Sequence, residues 1–190
     1  MNMNRVHRRF CASPKWAEYV RSEMLPQELE GLDLGDDVLE IGPGPGLTTD
    51  VLRTRAPSLT ALELDEALAG ALAARMPAQT VEVVNGDATQ MPFEDDRFSA
   101  AVSFTMLHHV PTVELQDRLF SEVHRVLASG GVFAGSDSRP GLSPFFYLLH
   151  VGDIKNVVDP GTLGARLRGA GFGKVEIGTR PKRVWWRAVA

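Results

Sequence analysis

At 190 residues the chain is long enough to bury one core and short for two, and its 44% hydrophobic and 23% charged content excludes a disordered polymer. A formal net charge of -4 gives no global attraction to a polyanion, so nucleic acid is not an expected partner, and the single cysteine, Cys11, excludes an internal disulfide. No apolar run approaches the roughly 20 residues that span a bilayer and the start lacks the apolar core of a secretory signal, so a cytoplasmic protein with no membrane span is expected.

In chain order, Arg5, His7, Arg8 and Arg9 read as a solvated basic patch, and Cys11 has no neighbour that would activate its thiol. From Pro14 to Leu29, Trp16, Tyr19, Val20, Met24 and Leu25 recur at helical spacing. The result is an amphipathic helix that covers the sheet or serves as part of a lid. Asp37 to Thr49 (DVLEIGPGPGLTT) then joins an apolar strand to glycines at 42, 44 and 46 and a helix start, expected over Leu47 to Arg55. Such a turn gathers bare backbone amides where a polar ligand group can approach.

Leu59 to Leu64 and Thr80 to Val84 read as strands flanking a helix over Asp65 to Met76. Ala100 to Phe104 is a fourth strand. A long helix follows from Pro111 with the stripe Leu115, Leu119, Val123, Val126 and Leu127, stopped by Gly130 and Gly131 before a fifth strand at Val132. Arg139 to Pro160 breaks the rhythm with three prolines and the aromatic cluster Phe145, Phe146 and Tyr147. A helix over Pro160 to Gly171 and two strands, Lys174 to Gly178 and Arg183 to Ala190, close the chain. Alternating strands and helices indicate an α/β, doubly wound parallel sheet with helices on both faces. The expected organisation is one domain over 1–190, with a helical extension over 1–30 and a short cap insertion over 139–160.

Three strand ends carry the candidate ligand site. The position three residues beyond Gly44 is Leu47, so the dinucleotide fingerprint is not met. Glu63, 21 residues after Gly42, ends the second strand, where a carboxylate either holds two ribose hydroxyls or simply faces solvent. Asp87 ends the third strand, placed to accept an adenine amine while the Ala88 N–H addresses a ring nitrogen, or else to form an ordinary turn.

VLEIGPGPG, ALELD, NGDATQMPF and AVSFTMLHHV together resemble the successive motifs of class I S-adenosylmethionine-dependent methyltransferases, over about Val38 to Asp137. The resemblance implies a seven-stranded, Rossmann-like sheet of six parallel strands with the last strand antiparallel near the edge. It implies S-adenosylmethionine as cofactor, with Glu40, Gly42, Gly44 and Gly46 along its methionine portion, Glu63 on the ribose, and Asp87 with Ala88 on the adenine. Leu64 would flank the adenine ring and Thr105 would face the methionyl end. Ser99 departs from the family's usual aspartate, with a local structural effect expected.

The cofactor's sulfonium carries the difficult chemistry, so such an enzyme can work with no dedicated catalytic residue. His108 and His109 are the first candidates for a base, His150 and His124 weaker ones, and linear spacing of the histidines suggests no metal. SFTM lacks the Asn/Asp-Pro-Pro-aromatic pattern of enzymes acting on nucleobase or glutamine amines. The absence of a basic surface favours a small-molecule acceptor of unidentified structure. The rival readings are a cofactor- or partner-binding protein of the same fold without transfer activity, and a nicotinamide-dependent oxidoreductase. The oligomeric state is left open.

Overall fold

The computed structural model describes residues 4–141 and 144–190, with the side chain of Phe145 also outside the described set. The residues of the expected basic patch lie on α1 (Arg5–Cys11), which leaves Arg5 and Arg9 exposed but not His7. Asn4 caps it by accepting from His7 N, and the helical turn swings His7 inward, where it is buried, while Arg8 reaches Asp65 at 3.6 Å. The expected amphipathic helix is one helical run in three parts, α2 (Pro14–Tyr19), a π turn (Val20–Met24) and α3 (Leu25–Glu28). Pro26 has no N–H to continue the α pattern, and Leu25 N donates to the Val20 carbonyl, one residue further back than in an α-helix.

Next come β1 (Asp37–Ile41), α4 (Thr49–Leu52), β2 (Ser58–Glu63), α5 (Glu66–Arg75), β3 (Val81–Asn85) and β4 (Phe98–Phe104). They are followed by a 3-10 turn (Leu107–His109), α6 (Val113–Val126), β5 (Leu127–Ser138), α7 (Pro144–Leu149), α8 (Pro160–Gly169), β6 (Lys174–Thr179) and β7 (Arg183–Val189). The seven strands form one sheet in the order β3-β2-β1-β4-β5-β7-β6. β1 to β5 pair in parallel, and β7 runs antiparallel to both β5 and β6. Six strands therefore share a direction and the last is inserted beside the edge.

Two expectations need correction. The helix after the glycines covers only Thr49–Leu52, because Gly44 and Gly46 hold positive φ and keep the chain in turns until Thr48. Gly130 and Gly131 do not stop α6. The helix ends at Val126, the next residue starts β5, and the two glycines sit inside that strand at a register shift, exchanging hydrogen bonds with Ala190. Pairing with the C-terminal residue supplies their backbone partners, which a helix end would have left open.

The core lies on both faces of the sheet. Leu119, Phe120, Val123 and Val126 of α6 and Leu163 and Leu167 of α8 pack with Phe133 and Trp186 on one face. Val20, Met24 and Leu25 from the N-terminal run and Leu72 of α5 pack with Val38, Ala100 and Val102 on the other. Ser99 ties the entry loop to this sheet, its hydroxyl accepting from Asp37 N and lying 2.7 Å from the Leu34 carbonyl. Among the described residues, no helix is long and apolar enough to cross a membrane.

Gly135, in the middle of β5, lies opposite Trp186 of β7. A Cβ there would stand 2.1 Å from the Ser103 carbonyl oxygen and 2.4 Å from the indole of Trp186. The first of these is backbone and cannot swing aside, so Gly135→Ala is expected to lower unfolding free energy by about 1–3 kcal/mol in urea denaturation.

Candidate active site

A cavity of about 1000 Å³ opens where β1, β2, β3 and β4 end at their carboxyl edge, the edge at which open α/β sheets receive ligands. Gly42, Gly44, Glu63, Leu64, Asp87, Ala88 and Thr105 line it; Glu40 and Gly46 stand behind its wall. Gly46 faces α5, where a Cβ would meet Leu72 and Arg75, and Gly42 holds φ of 66° with Met106 packed where a Cβ would project. The turn is thus pinned from both sides.

Glu63 is the centre of the polar edge. Its Oε2 accepts from Gly44 N and its Oε1 from Asp65 N, each at 2.9 Å. A carboxylate offers about four lone-pair sites, so roughly two stay open toward the cavity. Asp87, two residues past β3, uses Oδ1 for the Thr89 amide and hydroxyl, while among the described residues its Oδ2 takes no hydrogen bond. Between the two acids Leu64 is 43% exposed, an apolar surface suited to a planar ring.

Glu40 is sealed within the protein. Its Oε1 accepts from the Thr48 hydroxyl and its Oε2 makes no aligned hydrogen bond. Burial lifts this carboxyl to about 7, against the lowering effect of the Thr48 and Thr49 hydroxyls. Thr105, just past β4, adopts φ of 54°, a left-handed conformation that costs a β-branched residue on the order of 1–3 kcal/mol. Its amide, donating to the Ser136 carbonyl at 2.8 Å, holds it there at the cavity wall.

At the far end of the cavity the fold assembles His7, His108, His109 and His150. His108 Nδ1 lies 2.6 Å from Asp137 Oδ1 and its Nε2 lies 3.1 Å from Nε2 of His150. Nδ1 of His150 donates to the Phe146 carbonyl at 2.7 Å, since a carbonyl only accepts. The hydrogen between the two Nε2 atoms therefore belongs to His108, whose ring nitrogens are both committed. His109 and His150 are held low, at about 2 and about 4, by burial first and by the neighbouring imidazoles second. Burial pushes the Cys11 thiol up to about 12, which removes it as a nucleophile at neutral pH. His124 lies apart, edge-on to Phe172 on the far side of α6.

Asp137, Asp153 and His7 carry no signal in the sequence as site residues. Asp153 accepts from His7 and Asn4 across 146 and 149 residues of sequence, contacts that no local pattern announces.

The model of the methyltransferase domain family matches residues 39–135, half of the chain. Sterol methyltransferase-like 3 of Botryococcus braunii is 30% identical over 147 residues, covering 71% of this chain and 36% of that protein. The "Probable S-adenosylmethionine-dependent methyltransferase" of Mycolicibacterium smegmatis is 34% identical over 113 residues, 60% of this chain and 42% of that protein. The chain spans well under half the length of these curated relatives. The structure of an S-adenosylmethionine dependent methyltransferase from Mesorhizobium loti is alike in fold, with a TM-score of 0.70 at 24% identity over 92% of this chain and 98% of that one.

The raised Glu40 carboxyl sets a pH dependence whose sign is fixed. In the folded chain it keeps its proton up to about 7, whereas unfolded it ionises near 4.5, so the unfolded state binds fewer protons between those values. Stability is expected to fall by about 3 kcal/mol as pH rises from 4.5 to 7, and then to level off. Urea denaturation at pH 5 and pH 8 measures this, and Glu40→Gln, which cannot ionise, should lose correspondingly less over the same interval.

Proposed function

The chain belongs to the class I S-adenosylmethionine-dependent methyltransferase family, and from that premise we propose that it transfers a methyl group to a small, largely apolar acceptor. The observation that carries this reading is a single cavity joining the acids Glu63 and Asp87 at one end to an aromatic and histidine wall at the other. At about 1000 Å³ it stands at the upper end of the range for small-molecule sites, which suits two ligands side by side.

The residues present fit S-adenosylmethionine. The open lone pairs of Glu63 would take the ribose hydroxyls, and Asp87 with the Ala88 N–H would take the adenine edge against Leu64. Gly42 and Gly44 would border the methionine portion, with Glu40 and Gly46 supporting that turn from behind and Thr105 facing it across the cavity. Bound there, the cofactor supplies a methyl group already activated by its sulfonium.

What the chain adds is orientation and exclusion of water. Trp16 and Tyr19 of α2 and Phe146 and Leu149 of α7 border the acceptor side, so we assign residues 1–30 as an extension and 139–160 as a cap of one domain. The apolar acceptor follows from these side chains, and the relative named for sterols is consistent with it. Alignment carries the transfer in this reading. His108 has no free nitrogen, and His109, held at about 2, is too weakly basic to draw a proton from an alcohol at neutral pH. The nicotinamide alternative has nothing in its favour beyond the general sheet architecture.

Glu63→Ala should weaken S-adenosylhomocysteine binding by about 1–3 kcal/mol, roughly 5- to 150-fold, in calorimetry. An unchanged dissociation constant would remove the ribose assignment. A screen of hydroxylated apolar acceptors with isotope-labelled cofactor, read by product mass, tests transfer itself; binding without any labelled product would favour a non-transferring role.

A further inference from the structure

Three of the histidines at the acceptor end, His7, His109 and His150, each present a ring nitrogen within 4.8 Å of the other two. They arrive from separate parts of the chain: α1, the 3-10 turn after β4, and the residue just past α7. All three are buried, yet all three border the cavity. Burying imidazole nitrogens together costs free energy unless something takes their lone pairs.

Two of the rings already stand as metal-ligating imidazoles stand. Nδ1 of His7 faces Asp153 Oδ2 at 2.9 Å, and Nδ1 of His150 donates to the Phe146 carbonyl. An oxygen partner at Nδ1 fixes the tautomer and leaves the lone pair on Nε2, which in His150 accepts from His108. Neither ring nitrogen of His109 has a hydrogen-bond partner among the described residues, and its ring packs at a tilt against His7, His108 and His150. Charge points the same way. The carboxylates of Asp153 and Asp137 are 1% and 0% exposed, and among the described residues neither is paired with a lysine or arginine. Asp137 is already partnered by His108, so it is Asp153, held by His7 and Asn4, whose buried carboxylate is left to offset a cation at the imidazoles.

We propose that His7, His109 and His150 form a binding site for a divalent transition metal that favours imidazole, such as zinc, with one coordination position open to the cavity. Zinc–nitrogen bonds of about 2.0–2.1 Å in a tetrahedron set ligand nitrogens roughly 3.4 Å apart, so the rings need close by no more than about 1.4 Å. The cation displaces the His108 N–H from the His150 lone pair, and His108 keeps its bond to Asp137. A water or an oxygen of the methyl acceptor would complete the set, as at three-histidine sites generally. Linear spacing gives no sign of such a site because the three residues lie in different elements and meet only across the cavity.

The test uses the full chain after treatment with a chelator. Calorimetric titration with Zn²⁺ and visible spectra with Co²⁺ should show one ion per chain in a site of low symmetry. His109→Ala should weaken Zn²⁺ by about 100-fold or more, and Asp153→Asn, which touches the metal only through His7, by about 10- to 100-fold. His124→Ala, outside the cluster, should bind as wild type does. Circular dichroism and S-adenosylhomocysteine binding report that each variant is folded with its cofactor end intact, so this proposal and the methyl-transfer reading fail separately. Absence of saturable Zn²⁺ or Co²⁺ binding to the wild-type chain overturns the proposal, as does equal affinity in wild type, His109→Ala and Asp153→Asn.

Discussion

The Glu63 carboxylate accepts from the Gly44 amide with one oxygen and from the Asp65 amide with the other, and so binds the end of β2 to the turn after β1 and to the start of α5. β1 and β2 pair in parallel up to Ile41 and Leu62, and Gly42 N extends the ladder by donating to the Leu62 carbonyl. Beyond that point the turn's amides have no strand to pair with, and a buried amide without a partner is costly. One acid supplies the partner. It thereby sets where the glycine turn sits and, with it, the shape of the cavity's polar edge.

The opposite wall is built by a different principle. Val20 and Met24 border the cavity and also belong to the core under the sheet, so this wall is continuous with the hydrophobic interior. The π turn that carries them falls where the helical run passes the cavity. Widening the helix by one residue there re-aims the side chains that follow, a device often found at functional sites. Arg183 and Arg180 anchor the end of the run through Glu28, at 3.1 Å and 3.4 Å, linking it to the β6–β7 hairpin.

Several local costs concentrate around the cavity: Thr105 in a left-handed conformation, a sealed carboxyl at Glu40, and four imidazoles in one buried group. None of them helps the chain fold. Extensive apolar packing on both faces of the sheet offsets them, and their gathering around one cavity is what is expected of a place kept for ligands.

The order of strands and helices was legible in the sequence because each element carries its own period and its own stops, and parallel pairing follows from their alternation. That Gly42, Glu63 and Asp87 would meet at one edge was legible for the same reason. Glu63 ends a strand and Gly42 and Asp87 lie just past one, and strands that share a direction bring their ends to one edge. Boundaries were read less well where a backbone partner came from afar, as when Ala190 drew Gly130 and Gly131 into β5. The histidine end of the cavity was read only in part: His108, His109, His150 and the insertion over 139–160 stood out, but the partners that join them did not. His7 looked like part of a basic surface, because its burial and its pairing with Asp153, 146 residues away, leave no local pattern. Periodicity records which side of an element faces the core, but only the folded chain decides which distant side chains share a cavity.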